Sequence, residues 1–239
     1  MDLGKKNTNQ ISGNRRSVLY VGHEKTGKTF NAFSWPRPYG IYLDDNQDTL
    51  ARYTGIPYDA PASFAEYKAI LAELRTRKLD VETIVVDSFS RLAQMLRAEL
   101  QGPGKMDQQK WGALLDGLLF STVDLMSLLQ PKGDHQGYHV VGTAHLVRVT
   151  DSEGNLIQYA PHIQGQFRDW LPRMFNTVLG TDFKTTPVPK GPGNIEYRAE
   201  YIVYTTPPNN FWKLGGGFAD LLPGQCSGTY ESLSKAWTS

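Results

Sequence analysis

The chain has 239 residues, a formal net charge of +1 and 21% charged residues. This length suffices for one α/β domain with a large core. The near-neutral balance excludes a global basic field, so any contact with nucleic acid must depend on local patches. The single cysteine, Cys226, excludes an internal disulfide and a cysteine-rich zinc site, and is typical of a reducing compartment.

Neither a membrane span nor a secretion signal is predicted. No stretch approaches the roughly 18 apolar residues that cross a bilayer, and the polar start of the chain lacks the apolar centre of a signal peptide. We therefore expect a cytoplasmic protein with no membrane contact. The polar residues 1–16 indicate a flexible arm, and residues 17–239 a single domain.

The first motif lies between Gly22 and Thr29, which fit the phosphate-loop pattern G-x-x-x-x-G-K-[ST] at every fixed position. The apolar run 18–21 predicts a buried strand before it, and residues 29–34 a short helix after it. Lys28 is expected to reach the β- and γ-phosphates, and the Thr29 hydroxyl to bind Mg²⁺. The candidate nucleotide-binding residues are Gly22, His23, Glu24, Lys25, Thr26, Gly27, Lys28, Thr29 and Phe30.

Two further predicted strands end in acids. Residues 40–43 precede Asp44 and Asp45, which either belong to a catalytic cluster or cap a turn. The β-branched run 81–86 ends in Asp87, which either holds Mg²⁺ through water or caps the next helix.

Helices are predicted at 64–77, 90–100 and 107–129, and a fourth buried strand at 138–145. His145 would then lie at the same rim of the sheet as Asp87. There it either senses the γ-phosphate or makes an ordinary hydrogen bond.

The next segment mixes cationic, amide and aromatic side chains after a predicted hairpin at 146–150 and 156–159. Rings stack on bases and cations follow phosphates in single-strand binding, although plain loops carry the same mixture. The candidate DNA-binding residues are Arg148, Tyr159, His162, Gln164, Gln166, Phe167 and Arg168.

The last predicted elements are a strand at 177–183, a proline- and glycine-rich loop at 186–194, and a short helix near 230–237. The alternating residues 195–204, together with 211–214, predict a β-hairpin at the edge of the sheet.

The order of these motifs resembles the phage-type RecA-like P-loop ATPases, a group of phage nucleotide-binding or AAA-type proteins that includes single-strand annealing proteins. The resemblance covers roughly residues 17–224 and depends on the phosphate loop, the acid-tipped second strand, Ile84-Val85-Val86-Asp87-Ser88, Thr143-Ala144-His145 and the hairpin that follows. It implies a RecA-like α/β core, with a mostly parallel sheet flanked by helices, that binds ATP and Mg²⁺. It also implies single-stranded DNA binding, assembly into filaments or rings, and annealing or recombination in phage DNA replication in the host cytoplasm, with a single-strand-binding protein as a further partner.

The resemblance also implies residue roles. The family usually has a glutamate near the end of the second strand that activates water, and that place is Asn46 here, an amide that cannot act as a base. Asp44 or Asp45 then substitutes, or ATP is bound as an assembly switch and turned over slowly. A cation from the neighbouring subunit often completes such a site, and Lys213 is the candidate, with Arg198 and Lys190 as fallbacks.

His145 occupies the place of the family's polar sensor, and the segment after it matches the DNA-binding loop in position. The alternative is a P-loop ATPase that acts on a protein partner, such as a helicase loader or a remodelling factor, without intrinsic DNA binding.

Overall fold

The computed structural model describes residues 15–44, 53–77, 79–131, 136–191 and 194–235. The strands in these residues are β1 (Ser17–Gly22), β2 (Pro38–Tyr42), β3 (Tyr58–Asp59), β4 (Thr83–Asp87), β5 (His139–Thr150), β6 (Leu156–Pro161), β7 (Thr177–Gly191), β8 (Asn194–Tyr204) and β9 (Gln225–Cys226). The helices are α1 (Lys28–Phe33), α2 (Phe64–Thr76), α3 (Phe89–Gln101), α4 (Gln108–Met126), α5 (Phe167–Met174) and α6 (Tyr230–Ser234).

These strands form one sheet in the order β3-β2-β4-β5-β1-β7-β8-β9, with β6 paired to β5. The six strands from β3 to β7 pair in parallel, whereas β6, β8 and β9 pair antiparallel. Every residue of β1 and of β4 is buried, as the continuous apolar runs predict for parallel strands covered on both faces. The predicted fold, a mostly parallel α/β sheet flanked by helices, is confirmed.

Helices cover both faces of the sheet because alternate residues of each strand point to opposite sides. Leu19 and Val21 of β1 lie in a core that includes residues of α2, α3, α4 and α5. Val18 and Tyr20 lie in a second core with residues of α1 and α6. β1 is therefore fixed from both sides, which holds the start of the phosphate loop in place.

Side-chain caps explain where three of the helices begin. The hydroxyl of Ser63 accepts a hydrogen bond from the Glu66 N–H at 3.2 Å, and the Glu66 carboxylate accepts from the Ala62 N–H at 2.8 Å. The Asp107 carboxylate accepts from the Lys110 N–H at 2.8 Å. At the start of α3 the cap is Ser88, whose hydroxyl accepts from the Arg91 N–H at 3.4 Å. The capping role considered for Asp87 is therefore filled by the next residue.

The carboxy-terminal hairpin differs from the prediction in its strands. β7 and β8 pair from Gly180 and Tyr204 almost to the turn, so most of the predicted loop 186–194 is strand. Prolines are tolerated there because β7 pairs with β1 only over 177–181 and has a free edge beyond it. Residues 211–214 form no strand. The next residue, Gly215, forms an isolated antiparallel bridge with Val178. The hairpin at the sheet edge is confirmed, but the partner of β8 in it is β7 and not the predicted segment 211–214.

Helix α4 and the short 3₁₀ turn after it form a stretch, Gln108–Leu129, that is long and apolar enough to cross a membrane by length and hydropathy alone. The expectation that no such stretch exists is therefore wrong. A core helix passes the same test, and Leu114, Leu118 and Leu125 of α4 are buried in the core described above.

Candidate nucleotide-binding site

The phosphate loop connects β1 to α1 at the carboxyl edge of the sheet. Gly22 at the end of β1 lies beside His145 of β5, and Asp87 ends β4 beside Tyr42 of β2. Because parallel strands end at the same edge, the acid of β4 and the histidine of β5 come to the loop without being near it in sequence.

Two glycines of the loop are required by its geometry. Gly27 has a φ of 85°, a conformation that side chains disfavour. A Cβ at Gly22 would lie 2.2 Å from the hydroxyl oxygen of Thr181 on β7. That threonine in turn shares a 2.7 Å hydrogen bond with the Thr26 hydroxyl. The loop is thus anchored to β7 as well as to β1.

Lys28 is the cation of the loop and is only 6% exposed. Its Nζ donates to the carbonyl oxygens of Gly22 and His23. Burial lowers the pKa of Lys28 to about 8, against the opposing attraction of Asp87, Glu24 and Asp44. A buried ammonium group whose hydrogen bonds go only to carbonyl oxygens is stabilised by an anion such as phosphate.

Asp87 is 4% exposed and accepts hydrogen bonds from two hydroxyls. The Thr29 hydroxyl donates to it at 2.8 Å, and the Thr143 hydroxyl donates to its other oxygen. Burial raises the pKa of Asp87, and the two hydrogen bonds oppose that rise. A cation at this carboxylate would stabilise its ionised form.

These oxygens suit Mg²⁺, which prefers oxygen ligands and keeps several waters. The Thr29 hydroxyl and the Asp87 carboxylate, both predicted as metal ligands, lie side by side. Within the described ranges no group of three or more His, Cys, Asp and Glu forms a metal site. A Mg²⁺ ion here would therefore depend on phosphate and water oxygens as well, as in P-loop enzymes.

A cavity of about 630 Å³, which we call the His145 cleft, adjoins this site. Its polar lining includes His23, Glu24, Asp44, Ser88, Arg91, His145 and His162. Burial and the nearby Lys28 lower the pKa of His145, so its imidazole is neutral at pH 7. Its buried Nδ1 has no hydrogen-bond partner among the described residues. A buried nitrogen without a partner calls for a ligand atom or water to complete its hydrogen bonding, and the sensor role of His145 stays a prediction.

Four of the six predicted catalytic residues come together here. Lys28, Asp44 and Asp87 interact electrostatically with one another. His145 interacts electrostatically with both Lys28 and Asp44. Asp45 and Asn46 lie outside the described residues. Lys213 lies elsewhere, in a second cavity, and its role in a neighbouring subunit's site stays a prediction.

The second cavity, of about 660 Å³, contains part of the predicted DNA-binding set, and we call it the Tyr159 cleft. Its charged and aromatic lining consists of Tyr159, Arg168, Asp169, Arg173, Trp212 and Lys213. The Tyr159 ring lies 5.4 Å from the Trp212 ring and, edge-on, 5.5 Å from the His23 ring of the phosphate loop. Tyr159 therefore connects the two cavities.

Sequence reasoning missed Arg173 and Trp212. Arg173 lies five residues after Arg168 on α5, about 140° away around an axis with 3.6 residues per turn, so helical spacing does not pair the two arginines. Only the cavity shows that both line one site. No sequence signal connects Trp212 to this site, because it comes from a loop far along the chain.

The remaining predicted DNA contacts divide into three groups. Arg148 is exposed and lies opposite Tyr159 across the β5–β6 pair. Gln164 and Gln166 are exposed, and the exposed His162 lines the His145 cleft. Phe167 is 1% exposed and belongs to the core, so its ring is not accessible to a base and this assignment is wrong.

A phosphate loop after the central strand of a parallel sheet, with a buried acid bonded to the loop's threonine, defines a P-loop nucleoside triphosphatase. The chain belongs to the AAA domain family, whose model matches residues 14–212. It is accordingly an AAA-type domain with nucleotide-dependent ATPase activity, and nucleotide binding in such domains usually involves Mg²⁺. No curated protein matches the chain.

Proposed function

We propose that the protein is an ATP- and Mg²⁺-dependent single-stranded DNA-binding protein of the RecA-like kind. It acts as a homo-oligomer, a filament or ring, and promotes annealing or recombination in phage DNA metabolism in the host cytoplasm. A single-strand-binding protein that coats the same DNA is a further partner.

The observation that carries this proposal is the composition of the Tyr159 cleft. Three cations, Arg168, Arg173 and Lys213, line it with one acid, Asp169, and with the half-buried ring of Tyr159. Trp212 is only 8% exposed and packs against that ring from the core side. Cations that follow the backbone and rings that stack on bases are the two requirements of single-strand binding without sequence preference. The whole chain has almost no net charge, so a local excess of cations beside aromatic rings is informative.

The contact between Tyr159 and His23 supports dependence on ATP. His23 is the second residue of the phosphate loop, and its carbonyl oxygen accepts from the Lys28 ammonium. Phosphate oxygens compete for that ammonium, which changes what holds His23 in place. The Tyr159 ring, in edge contact with His23, transmits this change to the DNA cleft.

Water activation in this proposal falls to Asp44, which lines the His145 cleft and lies close enough to Lys28 and Asp87 to interact with both. Lys213 contributes to DNA binding, because it lines the Tyr159 cleft of its own chain.

The test is binding of a fluorescein-labelled oligothymidylate with Mg²⁺ and either no nucleotide or a non-hydrolysable ATP analogue, with mass photometry on the same samples. We expect the analogue to strengthen DNA binding and to produce assemblies. Lys28→Ala should abolish both effects, because it removes the buried cation that contacts phosphate. Lys105→Ala, which removes an exposed lysine from the loop before α4, is the control and should behave as wild type.

DNA binding that does not respond to nucleotide would contradict the proposal, as would binding that is insensitive to salt.

The alternative function, an ATPase that acts on a protein partner, is favoured by one observation. Phe120 and Val123 on the outer face of α4 are 65% and 51% exposed. Such rings and aliphatic groups are typical of protein contacts. ATP turnover without any DNA binding in the experiment above would support this alternative.

A further inference from the structure

Exposed aromatic rings follow one face of the β7–β8 hairpin beside the phosphate loop. Phe183 lies directly opposite Tyr201, and Tyr197 is on the same face because it is four residues from Tyr201 along the strand. These rings are 50%, 48% and 67% exposed, in that order, although large apolar groups are usually covered.

Tyr201 reaches the phosphate loop itself. A Cβ at Gly27 would lie 3.0 Å from two carbons of the Tyr201 ring, so the ring covers the second glycine of the motif. Phe30, which directly follows the motif, is 47% exposed and stacks with Tyr201 at 6.4 Å between ring centres and 28° between planes. The two rings form a nearly parallel pair that is half open to solvent.

The direction of a bound nucleotide follows from the strand order. β1 has β5 on one side and β7 on the other, and β4 lies beyond β5. The groups that suit Mg²⁺ and the terminal phosphate, Asp87 and His145, are on the β4–β5 side. A nucleotide with its terminal phosphate there extends across the loop toward β7 and β8, where Phe30 and Tyr201 lie.

We propose that Phe30 and Tyr201 form a stacking platform for the base of the bound nucleotide. This inference rests on the nucleotide dependence in the proposed function and adds the part of the ligand that the phosphate loop does not contact. Stacking depends on the area of the ring face, so the platform binds purine nucleotides more tightly than pyrimidine nucleotides and bare polyphosphate least of all.

The experiment compares two ligands by isothermal titration calorimetry, MgATP and magnesium tripolyphosphate, which has the phosphates without the base. Tyr201→Ala should weaken MgATP binding roughly tenfold or more, because base stacking on one ring contributes that much. It should leave tripolyphosphate binding unchanged. Tyr201→Phe keeps the ring and should bind both ligands as wild type does.

Tyr197→Ala is the matched control, since it removes an exposed tyrosine from the same face of β8 without touching the platform. We expect wild-type affinity for both ligands. Phe30→Ala should reproduce the selective loss seen with Tyr201→Ala.

Two results would overturn the platform. In the first, Tyr201→Ala binds MgATP as wild type does; in the second, it loses both ligands equally, which would mean that the ring only supports the loop. If the wild-type protein distinguishes ATP from tripolyphosphate through Tyr201 but does not bind oligonucleotide, the DNA-binding function fails and the platform stands. If the wild-type protein binds neither MgATP nor oligonucleotide, both the platform and the DNA-binding function fail.

Discussion

The His145 cleft and the Tyr159 cleft are almost equal in volume, about 630 and 660 Å³, and Leu146 lines both. Their chemistry differs. Beside the first, Lys28 and Asp87 are 6% and 4% exposed and are held by hydrogen bonds. In the second, Arg173 and Lys213 are exposed to solvent.

The difference matches the demands of the two ligands proposed above, a nucleotide and a DNA strand. Reaction at a phosphate needs charges that are buried and already oriented, because they act strongly only where water is excluded. A long DNA strand needs several exposed cations, each of which contributes a small part. We therefore expect single substitutions to disable the first site, and substitutions in the second to have graded effects.

The largest expected effect is at the site beside the His145 cleft, and it tests whether one substitution disables that site. Asp44→Asn should lower the rate of ATP hydrolysis by roughly 100-fold or more, because a general base typically contributes that factor. The affinity for MgATP should stay nearly constant, since the amide keeps the shape of the side chain. Single-turnover kinetics with separate binding measurements distinguish the two.

Asp116→Asn is the control, because Asp116 is exposed on α4 and outside the residues that line the His145 cleft. If Asp44→Asn hydrolyses ATP at the wild-type rate, Asp44 is not the base, and Asp45 becomes the next residue to change.

The second prediction tests the additive character of the Tyr159 cleft. The double substitution of Arg173 and Lys213 by alanine should reduce the slope of log affinity for single-stranded DNA against log salt by about 1.4, since each lost phosphate contact removes roughly 0.7. Affinity should fall about 20-fold at 0.1 M salt, and each single variant should show about half of the slope change.

Fluorescence anisotropy over a salt series measures this slope. The pair Lys68→Ala and Lys105→Ala removes the same charge from exposed positions elsewhere and should leave the slope unchanged. A loss of all DNA binding on either single change would contradict graded binding.

The smallest expected effect is a pH dependence of the affinity for MgATP, which arises from the buried Lys28. The pKa of Lys28 is lowered to about 8, so its ammonium is mostly charged at pH 7 and mostly neutral at pH 9. Because the charged form binds phosphate, the affinity for MgATP should fall by about tenfold as pH rises from 7 to 9. An ordinary lysine would show almost no change over this range.

Calorimetry at the two pH values measures this change. Lys28→Arg provides the comparison, since a guanidinium group stays charged throughout. The pH dependence should disappear in that variant, even if its affinity is lower. If it persists, another group is responsible.

Much of the nucleotide site could be predicted from sequence because its signals are local. The spacing from Gly22 to Thr29 specifies the loop, and the apolar run that ends in Asp87 specifies a buried strand with an acid at its tip. Ser63 as the cap of α2 could be predicted for the same reason. Each of these patterns lies within a few residues.

The errors in the prediction concern residues whose surroundings come from elsewhere in the chain. Phe167 looked like a stacking residue among polar neighbours, but its spacing to Leu171 places both in the core on one face of α5. The proline-rich residues 186–191 were predicted as a loop because proline is rare within strands. They belong to β7, since the strand has a free edge there, and that free edge is a property of the assembled sheet.

The sequence by itself determined the class of fold and the phosphate-binding chemistry, since both follow from short-range spacing and from buried runs of apolar residues. Only the tertiary structure decided which side chains share a cavity. Lys213 and Trp212 meet Tyr159 and Arg173 because β7 and the loop after β8 fold back beside β1. Tyr201 covers Gly27 because of the register between β7 and β8. Contacts of this kind depend on strand order and pairing register, which residues far apart in the sequence establish together.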